Sequence, residues 1–220
     1  MSHTVEILHT GFVTHDVRQF VTTRPDGLAF EPGQGVEVAL DAEGWRDDEH
    51  PFTPTSRKDG PVLEFTIKEY PNHDGVTTRI HDLAPGDTLL VSDAFGTITD
   101  QGPGTFIAGG AGITPFLAIL RHMSEEDRAR SALLFSNDTP EDVICEKELR
   151  HLLGRRCRLT CTQASAPGYD SRVIDRSYLE EHVDDFGGRF YVCGPPSFVD
   201  DVTDALAGLG VPDDRIVIER

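Results

Sequence analysis

Three glycines stand where one apolar run ends and the next begins, in segment 106–120, FIAGGAGITPFLAIL. Glycine allows a tight turn and a close approach of the backbone to a ligand, and Pro115 suits the first turn of a helix. The segment therefore predicts a strand, a glycine turn and the start of a helix. The unpaired amides at such a helix start attract phosphate. Gly109, Gly110 and Gly112 are compatible with a pyrophosphate cradle or with a plain tight turn.

A second turn of this type follows the apolar run at 190–193, where the sequence reads YVCGPP. The carboxyl ends of parallel strands meet at one sheet edge, so this turn should lie beside the first one. Cys193 would then stand at the tip of its strand. By itself, a cysteine in this place is more often a small buried apolar residue than a reactive one. Together, the two turns favour a dinucleotide site.

The segment 50–56, HPFTPTS, places an aromatic ring beside a hydroxyl group. Phe52 could stack on a flat ligand and Thr53 could donate a hydrogen bond to a ring nitrogen. The alternative is an ordinary strand-edge turn with Phe52 in the core. Further along, residues 75–78, GVTT, offer amides and two hydroxyls on an expected turn, which suits a second phosphate.

Two residue patterns along the chain predict the secondary-structure elements that must position these residues. Residues 1–100 form short runs rich in Val, Ile, Thr and Phe between turn signals, which indicates a six-stranded antiparallel β-barrel. Residues 104–220 alternate strands and helices, which indicates a Rossmann-like α/β domain with a parallel sheet. The polar, glycine-rich segment 100–104 is the expected boundary. The helices are expected at 115–123, 141–153, 176–183 and 196–209.

Composition excludes several classes of protein. Twenty basic and 38 acidic residues leave a formal charge of −18, which argues against nucleic acid and anionic membrane surfaces as partners. The dispersed acid is compatible with a solvated surface or with a docking surface for a basic partner. Four scattered cysteines lack the spacing of a metal site, so we expect no metal and reduced thiols. Without a secretory signal or a spanning apolar run, a cytoplasmic location is expected.

The order of these motifs resembles the ferredoxin–NADP reductase superfamily, and the resemblance covers nearly the whole chain. That superfamily has a flavin-binding barrel followed by a nicotinamide nucleotide domain. The matching segments, in the family order, are Phe30–Gln34, 50–56, 75–78, Leu83–Asp87, 109–115, Ser136–Asn137, Glu146–Leu149 and 193–195.

The resemblance implies that a flavin lies between the two domains, FAD with FMN as the alternative, and that NADH or NADPH donates a hydride to it. Thr53, near the flavin N5, and Cys193, beside the nicotinamide, would take part in catalysis. The residues that the resemblance assigns to cofactor binding are His50, Pro51, Phe52, Thr53, Ile67, Lys68, Gly75, Val76, Thr77, Thr78, Gly109, Gly110, Gly112, Ile113, Thr114, Pro115, Ser136, Asn137, Asp138, Cys193, Gly194 and Pro195.

Two departures from the family pattern affect the flavin. His50 stands where the family has an arginine that binds phosphate. This leaves open a weakly bound FAD, FMN as the flavin, a flavin that dissociates, or the replacement of the family arginine by Arg57 or Arg79. The sequence ends without the terminal aromatic residue that covers the flavin in many relatives. We therefore expect an accessible flavin, unless Arg220 or Tyr169 folds across it.

The choice of nucleotide depends on the end of the second strand of the nucleotide domain. Asp138 stands there without Arg or Lys, and an acid at this place favours the free ribose hydroxyl of NADH. Arg172, in a later loop, is the cation that could reach a 2′-phosphate instead.

The sequence thus predicts a monomeric flavin-dependent NAD(P)H oxidoreductase that delivers electrons to a separate acceptor, such as ferredoxin or flavodoxin. Two alternatives stay open at this point. One is a reductase of free flavin or quinone, and the other is an electron-transfer subunit of a larger complex.

Overall fold

The structure of the protein, a computed structural model, describes residues 3–70, 75–96 and 98–218. Most of the turn expected at 72–75 lies outside these residues, and so does Arg220.

The N-terminal part is the expected antiparallel barrel. Its strands pair in the order β4-β3-β6-β1-β2-β5. An isolated bridge between Pro54 and Phe65 brings the chain that follows β4 against β5, so the barrel is nearly closed. The elements are β1 His3–Phe12, β2 Val17–Thr23, β3 Val36–Leu40, β4 His50–Phe52, β5 Val62–Lys68, α1 Val76–His81 and β6 Thr88–Val91.

The alternation of residues along β5 shows why this part forms a barrel. Leu63, Phe65 and Ile67 are almost completely buried, while the residues between them are less so at most positions. Successive side chains of a strand point to opposite faces, so this pattern shows that one face of β5 packs on the barrel core. Phe20 on the neighbouring strand β2 belongs to the same core.

The C-terminal part is a five-stranded sheet in the order β11-β10-β7-β8-β9, with parallel pairing throughout. Apolar residues cover both faces, as a parallel sheet requires. The elements are β7 Thr105–Gly109, α2 Thr114–His122, α3 Glu125–Ala129, β8 Ala132–Asn137, α4 Glu146–Leu153, β9 Cys157–Cys161, α5 Arg176–His182, β10 Phe190–Cys193, α6 Pro196–Gly208 and β11 Ile216–Ile218.

The fold class predicted from the sequence is confirmed, with local differences. The helix expected at 141–153 begins only at Glu146, because Thr139 and Asp142 form a capping box around a separate 3₁₀ turn. Helix α3 was not expected; Ser124 caps it by accepting a hydrogen bond from the Asp127 N–H. Residues 76–78 begin helix α1, so the expectation of a turn there was wrong.

Tyr191 ties the domain boundary to the sheet. Its ring is buried and stacks on Phe106, with 4.3 Å between the ring centroids. Its hydroxyl donates a hydrogen bond to the Gly102 carbonyl (2.7 Å) and accepts one from the Gln101 N–H (3.0 Å). The boundary segment is therefore anchored by a buried phenol.

We expect Tyr191→Phe to lower the free energy of unfolding by about 1–3 kcal/mol, because two hydrogen bonds are lost in a buried place. Chemical denaturation measures this loss. Tyr70→Phe is the control, since Tyr70 is 48% exposed and should change stability little.

The effect of Tyr191→Phe should also depend on pH. Burial raises the pKa of Tyr191 to about 12, above the value of about 10 in an unfolded chain. The neutral phenol therefore stabilises the fold fully below about pH 10, and this contribution is lost as the pH rises toward about 12. The difference in stability between the wild type and the variant should shrink over that range; a constant difference would contradict the assignment.

Candidate functional site

A cleft of about 670 Å³ lies where the barrel meets the carboxyl ends of β7, β8 and β10. This volume is in the range of sites that bury a small organic ligand. Both glycine turns and the Phe52 segment line it, so the fold brings the three motifs of the sequence to one place.

The barrel wall of the cleft combines a flat apolar surface with polar groups. Phe52 at the end of β4 is half-buried against the barrel core, and Thr53 follows it. Thr66, Ile67 and Lys68 of β5 complete this wall.

Lys68 is the cation of the barrel wall. Its Nζ lies 2.9 Å from the carboxylate of Asp16. Burial by itself would lower the pKa of Lys68, but the hydrogen bond to Asp16 and the attraction of nearby negative charges together outweigh it, and the pKa is raised. Lys68 therefore stays charged at the edge of the cleft. In the described part of the lining it is the one Lys or Arg side chain.

The second wall of the cleft, formed by the C-terminal α/β part, depends on direct contact between the backbones of the two glycine turns. A Cβ at Gly112 would lie 2.4 Å from the carbonyl oxygen of Cys193. A Cβ at Gly194 would lie 2.7 Å from the ring of Phe198 and 3.2 Å from the backbone of Gly109. Because 2.4 Å from a backbone oxygen is too short for any side chain, Gly112 is required for the two turns to touch, and Gly194 has little room for a larger residue. Bare backbone at this place suits a pyrophosphate.

The end of β8 forms a third part of the cleft, next to the glycine turns. Asn137 is 6% exposed, and its side-chain oxygen has no partner among the described residues. A buried polar atom of this type normally has a hydrogen-bond partner, so it marks a place for a donor from a ligand. Asp138 and Asp142 line the same end with carboxylates.

Most of the residues expected from the sequence lie together in this cleft. The expected residues that line it are Pro51, Phe52, Thr53, Ile67, Lys68, Thr77, Gly109, Gly110, Gly112, Thr114, Pro115, Ser136, Asn137, Asp138, Cys193, Gly194 and Pro195.

Five expected residues do not line the cleft. Val76 and Ile113 are buried in the two domain cores, and Gly75 is the N-cap of α1. The Thr78 hydroxyl donates to the Tyr70 carbonyl, and the His50 ring lies 3.1 Å from the carboxylate of Asp48.

Six lining residues were missed by sequence reasoning: Thr66, Tyr70, Ala111, Asp142, Pro196 and Phe198. A signal existed only for those next to a motif. Ala111 stands inside the glycine turn, and Pro196 follows Pro195 directly. Asp142 is brought in by the 3₁₀ turn after β8, which the sequence did not predict.

Three further side chains that the sequence offered for the site, Tyr169, Arg172 and Arg79, make contacts elsewhere. The Tyr169 hydroxyl donates to Glu146 (2.7 Å), and Tyr169 does not line the cleft. The guanidinium of Arg172 pairs with Asp170 and Glu181, both at 2.7 Å. The guanidinium of Arg79 lies over the ring of Trp45, 5.5 Å from its centroid.

The cleft joins two different surfaces. The wall at Phe52 and Thr53 suits a flat ring system, and the glycine turns with Asn137 suit a dinucleotide. An antiparallel barrel and a parallel α/β sheet that share one such cleft define a class of two-domain proteins.

Comparison with known proteins gives the family. The family model described as an oxidoreductase NAD-binding domain matches residues 106–204. NADH-cytochrome b5 reductase 2 of Rattus norvegicus is 30% identical over 205 residues, which are 75% of this chain and 74% of that protein. The propane 2-monooxygenase reductase component of Rhodococcus jostii (strain RHA1) is 29% identical over 211 residues, 89% of this chain.

Solved structures give the same fold. The ferredoxin NADP⁺ reductase of Neisseria gonorrhoeae, solved with FAD and NADP, is similar with a TM-score of 0.81 at 23% identity, over 99% of this chain and 98% of that one. The flavohem-like FAD/NAD-binding domain of nitric oxide dioxygenase from Vibrio cholerae gives a TM-score of 0.86 at 22% identity, over 98% and 97% of the two chains.

The chain therefore belongs to the ferredoxin–NADP reductase superfamily, as its motifs indicated. The expected class, a nicotinamide-dependent flavoprotein reductase, agrees with the names of these relatives, which are a reductase and a reductase component. The chain spans 56% of the length of the Rhodococcus reductase component. Among the described residues, the helices are too short or too polar to cross a bilayer.

We expect Gly112→Ala to separate the two glycine turns, because its Cβ would overlap the Cys193 carbonyl. The free energy of unfolding should fall by about 1–3 kcal/mol, and NAD⁺ should bind more weakly. Calorimetric titration and chemical denaturation measure the two effects. Gly188→Ala is the matched control, since its Cβ would meet ordinary contacts beginning at 3.5 Å. Equal behaviour of the two variants would show that the contact does not matter.

Proposed function

We propose that this protein takes a hydride from a nicotinamide nucleotide onto a bound flavin and passes electrons to a separate acceptor protein. The observation that carries the proposal is that a single cleft is lined by Phe52 and Thr53 on one side and by Cys193 and Gly194 on the other. The family relationship supports the same reaction.

The side chains and backbone of the cleft would supply binding and position. Phe52 offers a flat face for the flavin, and Thr53 offers a hydroxyl beside it. The glycine turn at 109–115 would hold pyrophosphate, and Cys193 with Gly194 would support the nicotinamide. When bound, the flavin supplies the conversion of a two-electron donor into single-electron delivery. The protein's part is to hold both ligands in contact and away from water.

We propose NADH as the preferred donor. A 2′-phosphate needs cationic partners at the end of the second strand, and Asp138 and Asp142 stand there instead. Arg172, the cation expected to reach this place, is paired with two carboxylates. The rat relative is named an NADH-cytochrome b5 reductase, which supports the same choice.

We propose FAD as the flavin, held without an arginine at position 50. The His50 ring is exposed and turned to Asp48, and Arg79 lies over Trp45. From this arrangement we expect weaker binding of the flavin phosphate. The same observation favours a second candidate function, in which flavin binds and leaves as a substrate.

The acceptor is proposed to be a small redox protein such as ferredoxin or flavodoxin, reduced by a monomer of this chain. The Rhodococcus relative is named the reductase component of propane 2-monooxygenase, which supports a separate acceptor.

An anaerobic absorption titration tests the proposal. The purified protein should show a flavin band, and NADH should bleach it faster than NADPH. A colourless protein that turns over added FAD in the presence of NADH would favour the free-flavin function. A protein that neither holds flavin nor reduces it with either nucleotide would overturn both.

We expect Asp138→Ser to raise the kcat/KM for NADPH relative to NADH by about tenfold, because a carboxylate that repels the 2′-phosphate is removed. Steady-state kinetics with both nucleotides measure the ratio. Asp213→Ser, an exposed carboxylate away from the cleft, is the control and should leave the ratio unchanged. An unchanged ratio in Asp138→Ser would mean that this carboxylate does not face the ribose.

A further inference from the structure

Arg121, near the end of α2, joins the nucleotide domain to the barrel. Its Nη1 donates to the Glu64 carboxylate of β5 and to the Thr55 carbonyl, both at 2.6 Å. Its Nε and Nη2 donate to the two carboxylate oxygens of Glu148 on α4, at 2.7 and 2.9 Å. Only 19% of the Arg121 side chain is exposed. One guanidinium therefore links α2, α4 and β5.

The fork to Glu148 determines where the rest of the guanidinium points. A two-bond contact between a guanidinium and a carboxylate fixes the plane of both groups. With Nε and Nη2 held inside the nucleotide domain, Nη1 faces the barrel. Burial by itself would lower the pKa of Arg121, but the hydrogen bonds and the charge attraction of Glu148 and Glu64 together outweigh it, so the pKa is raised and the charge persists.

On the barrel side, the contact continues to the cleft. The Glu64 carboxylate accepts a hydrogen bond from the Thr55 hydroxyl (2.8 Å), which lies 3.3 Å from the Thr66 hydroxyl. Thr66 lines the cleft, and Thr55 follows Thr53 by two residues. The group that meets Arg121 is thus part of the wall proposed to hold the flavin.

A neighbouring hydrogen bond strengthens this junction. His122 Nδ1 lies 2.8 Å from the Ala118 carbonyl, and a proton on Nδ1 leaves Nε2 as an acceptor. The Lys58 N–H donates to that Nε2 at 2.8 Å. Two successive residues of α2 therefore bind the barrel segment 55–58.

On the nucleotide side, α2 begins at Thr114, directly after the 3₁₀ turn Gly110–Ile113. A helix moves as a rigid body over two turns, so a shift of Arg121 would also shift this turn. Apolar contacts of α2 with the barrel also exist, such as Ile119 beside Gly33, but they lack direction. The ion pair fixes the orientation.

Another polar contact between the domains is weak. The His15 ring lies 3.8 Å from the Asp142 carboxylate, and 61% of the His15 side chain is exposed. Exposed pairs contribute little because water and salt screen them. Arg121 is the better-buried link.

We propose that Arg121 is a positioning residue, which sets the distance between the Thr53 wall and the Gly112–Cys193 wall of the cleft through Glu64 and Thr55. This inference rests on the proposed function. Misplacement by about 1 Å can slow a positioned reaction about 100-fold, so the effect should appear in hydride transfer rather than in binding.

The test compares Arg121→Met, Glu64→Gln and the double variant with the wild type in anaerobic stopped-flow reduction by NADH. We expect hydride transfer to fall about 10–100-fold in Arg121→Met, with the Kd for NAD⁺ changed less than about twofold. The double variant should be no slower than Arg121→Met, because both changes act on the same Arg121–Glu64 ion pair. Arg130→Met is the control, since the Arg130 side chain is 63% exposed and pairs only with Asp127 among the described residues.

Hydrogen exchange of the Lys58 amide, without any cofactor, is the second readout. It should speed up about tenfold or more in Arg121→Met, because the junction at 55–58 opens more often. If Arg121→Met does not fold, Glu64→Gln becomes the test of the inference, since glutamine keeps the shape of the glutamate side chain and removes its charge. Hydride transfer and Lys58 exchange within about twofold of the wild type in a folded variant would overturn the inference. A wild type that NADH and NADPH cannot reduce would overturn the proposed function, while exchange would still test the junction.

Discussion

The site depends on a contact between two stretches of bare backbone. Gly112 packs its α-carbon against the carbonyl of Cys193, and Gly194 packs against Gly109. Strands β7 and β10 are hydrogen-bonded neighbours in parallel register, so their carboxyl ends bring the two turns side by side. A side chain at Gly112 would force the turns apart. The close approach brings two stretches of backbone to a shared surface, which suits a pyrophosphate.

The two domains keep largely separate apolar cores, so the cleft between them is not defined by hydrophobic packing alone. One core fills the barrel, and two others cover the faces of the nucleotide sheet. Val17 of the barrel and Ile98, ahead of the domain boundary, are the barrel-side members of a nucleotide-domain core. Apolar contact holds the domains together but tolerates sliding. Directional contacts at Arg121 and His122 supply the orientation that apolar contact lacks.

Charge has a different distribution in the site from that in the whole chain. The chain carries a formal charge of −18, yet Lys68 brings a positive charge to the barrel wall of the cleft. The opposite end of the cleft is acidic at Asp138 and Asp142. A ligand with its phosphates near the glycine turns and an unphosphorylated ribose beyond β8 fits this gradient. The same gradient would disfavour a further phosphate at the acidic end.

Features that depend on neighbours in the chain were predictable from the sequence. The strand, glycine turn and helix at 106–120 appear as expected, because glycine and proline act through their own backbone preferences. Helices α5 and α6 begin and end within one residue of their expected limits, because Asp175 caps α5 and a proline begins α6. Alternating apolar residues indicated the barrel strands, since period-two burial is a local property. The short strand β4 carried no such pattern and was missed.

Features that depend on distant residues were decided by the tertiary structure. His50 stands at the position of the family arginine and was expected to bind the flavin, but the fold turns its ring to Asp48, and it does not line the cleft. Arg121 meets Glu64, 57 positions away, through a barrel and a helix whose relative placement no local pattern encodes. The sequence by itself determined most of the turns, strands and helices, because these choices are made over a few residues. The tertiary structure alone decided which side chains share a cleft, because that depends on the packing of whole domains.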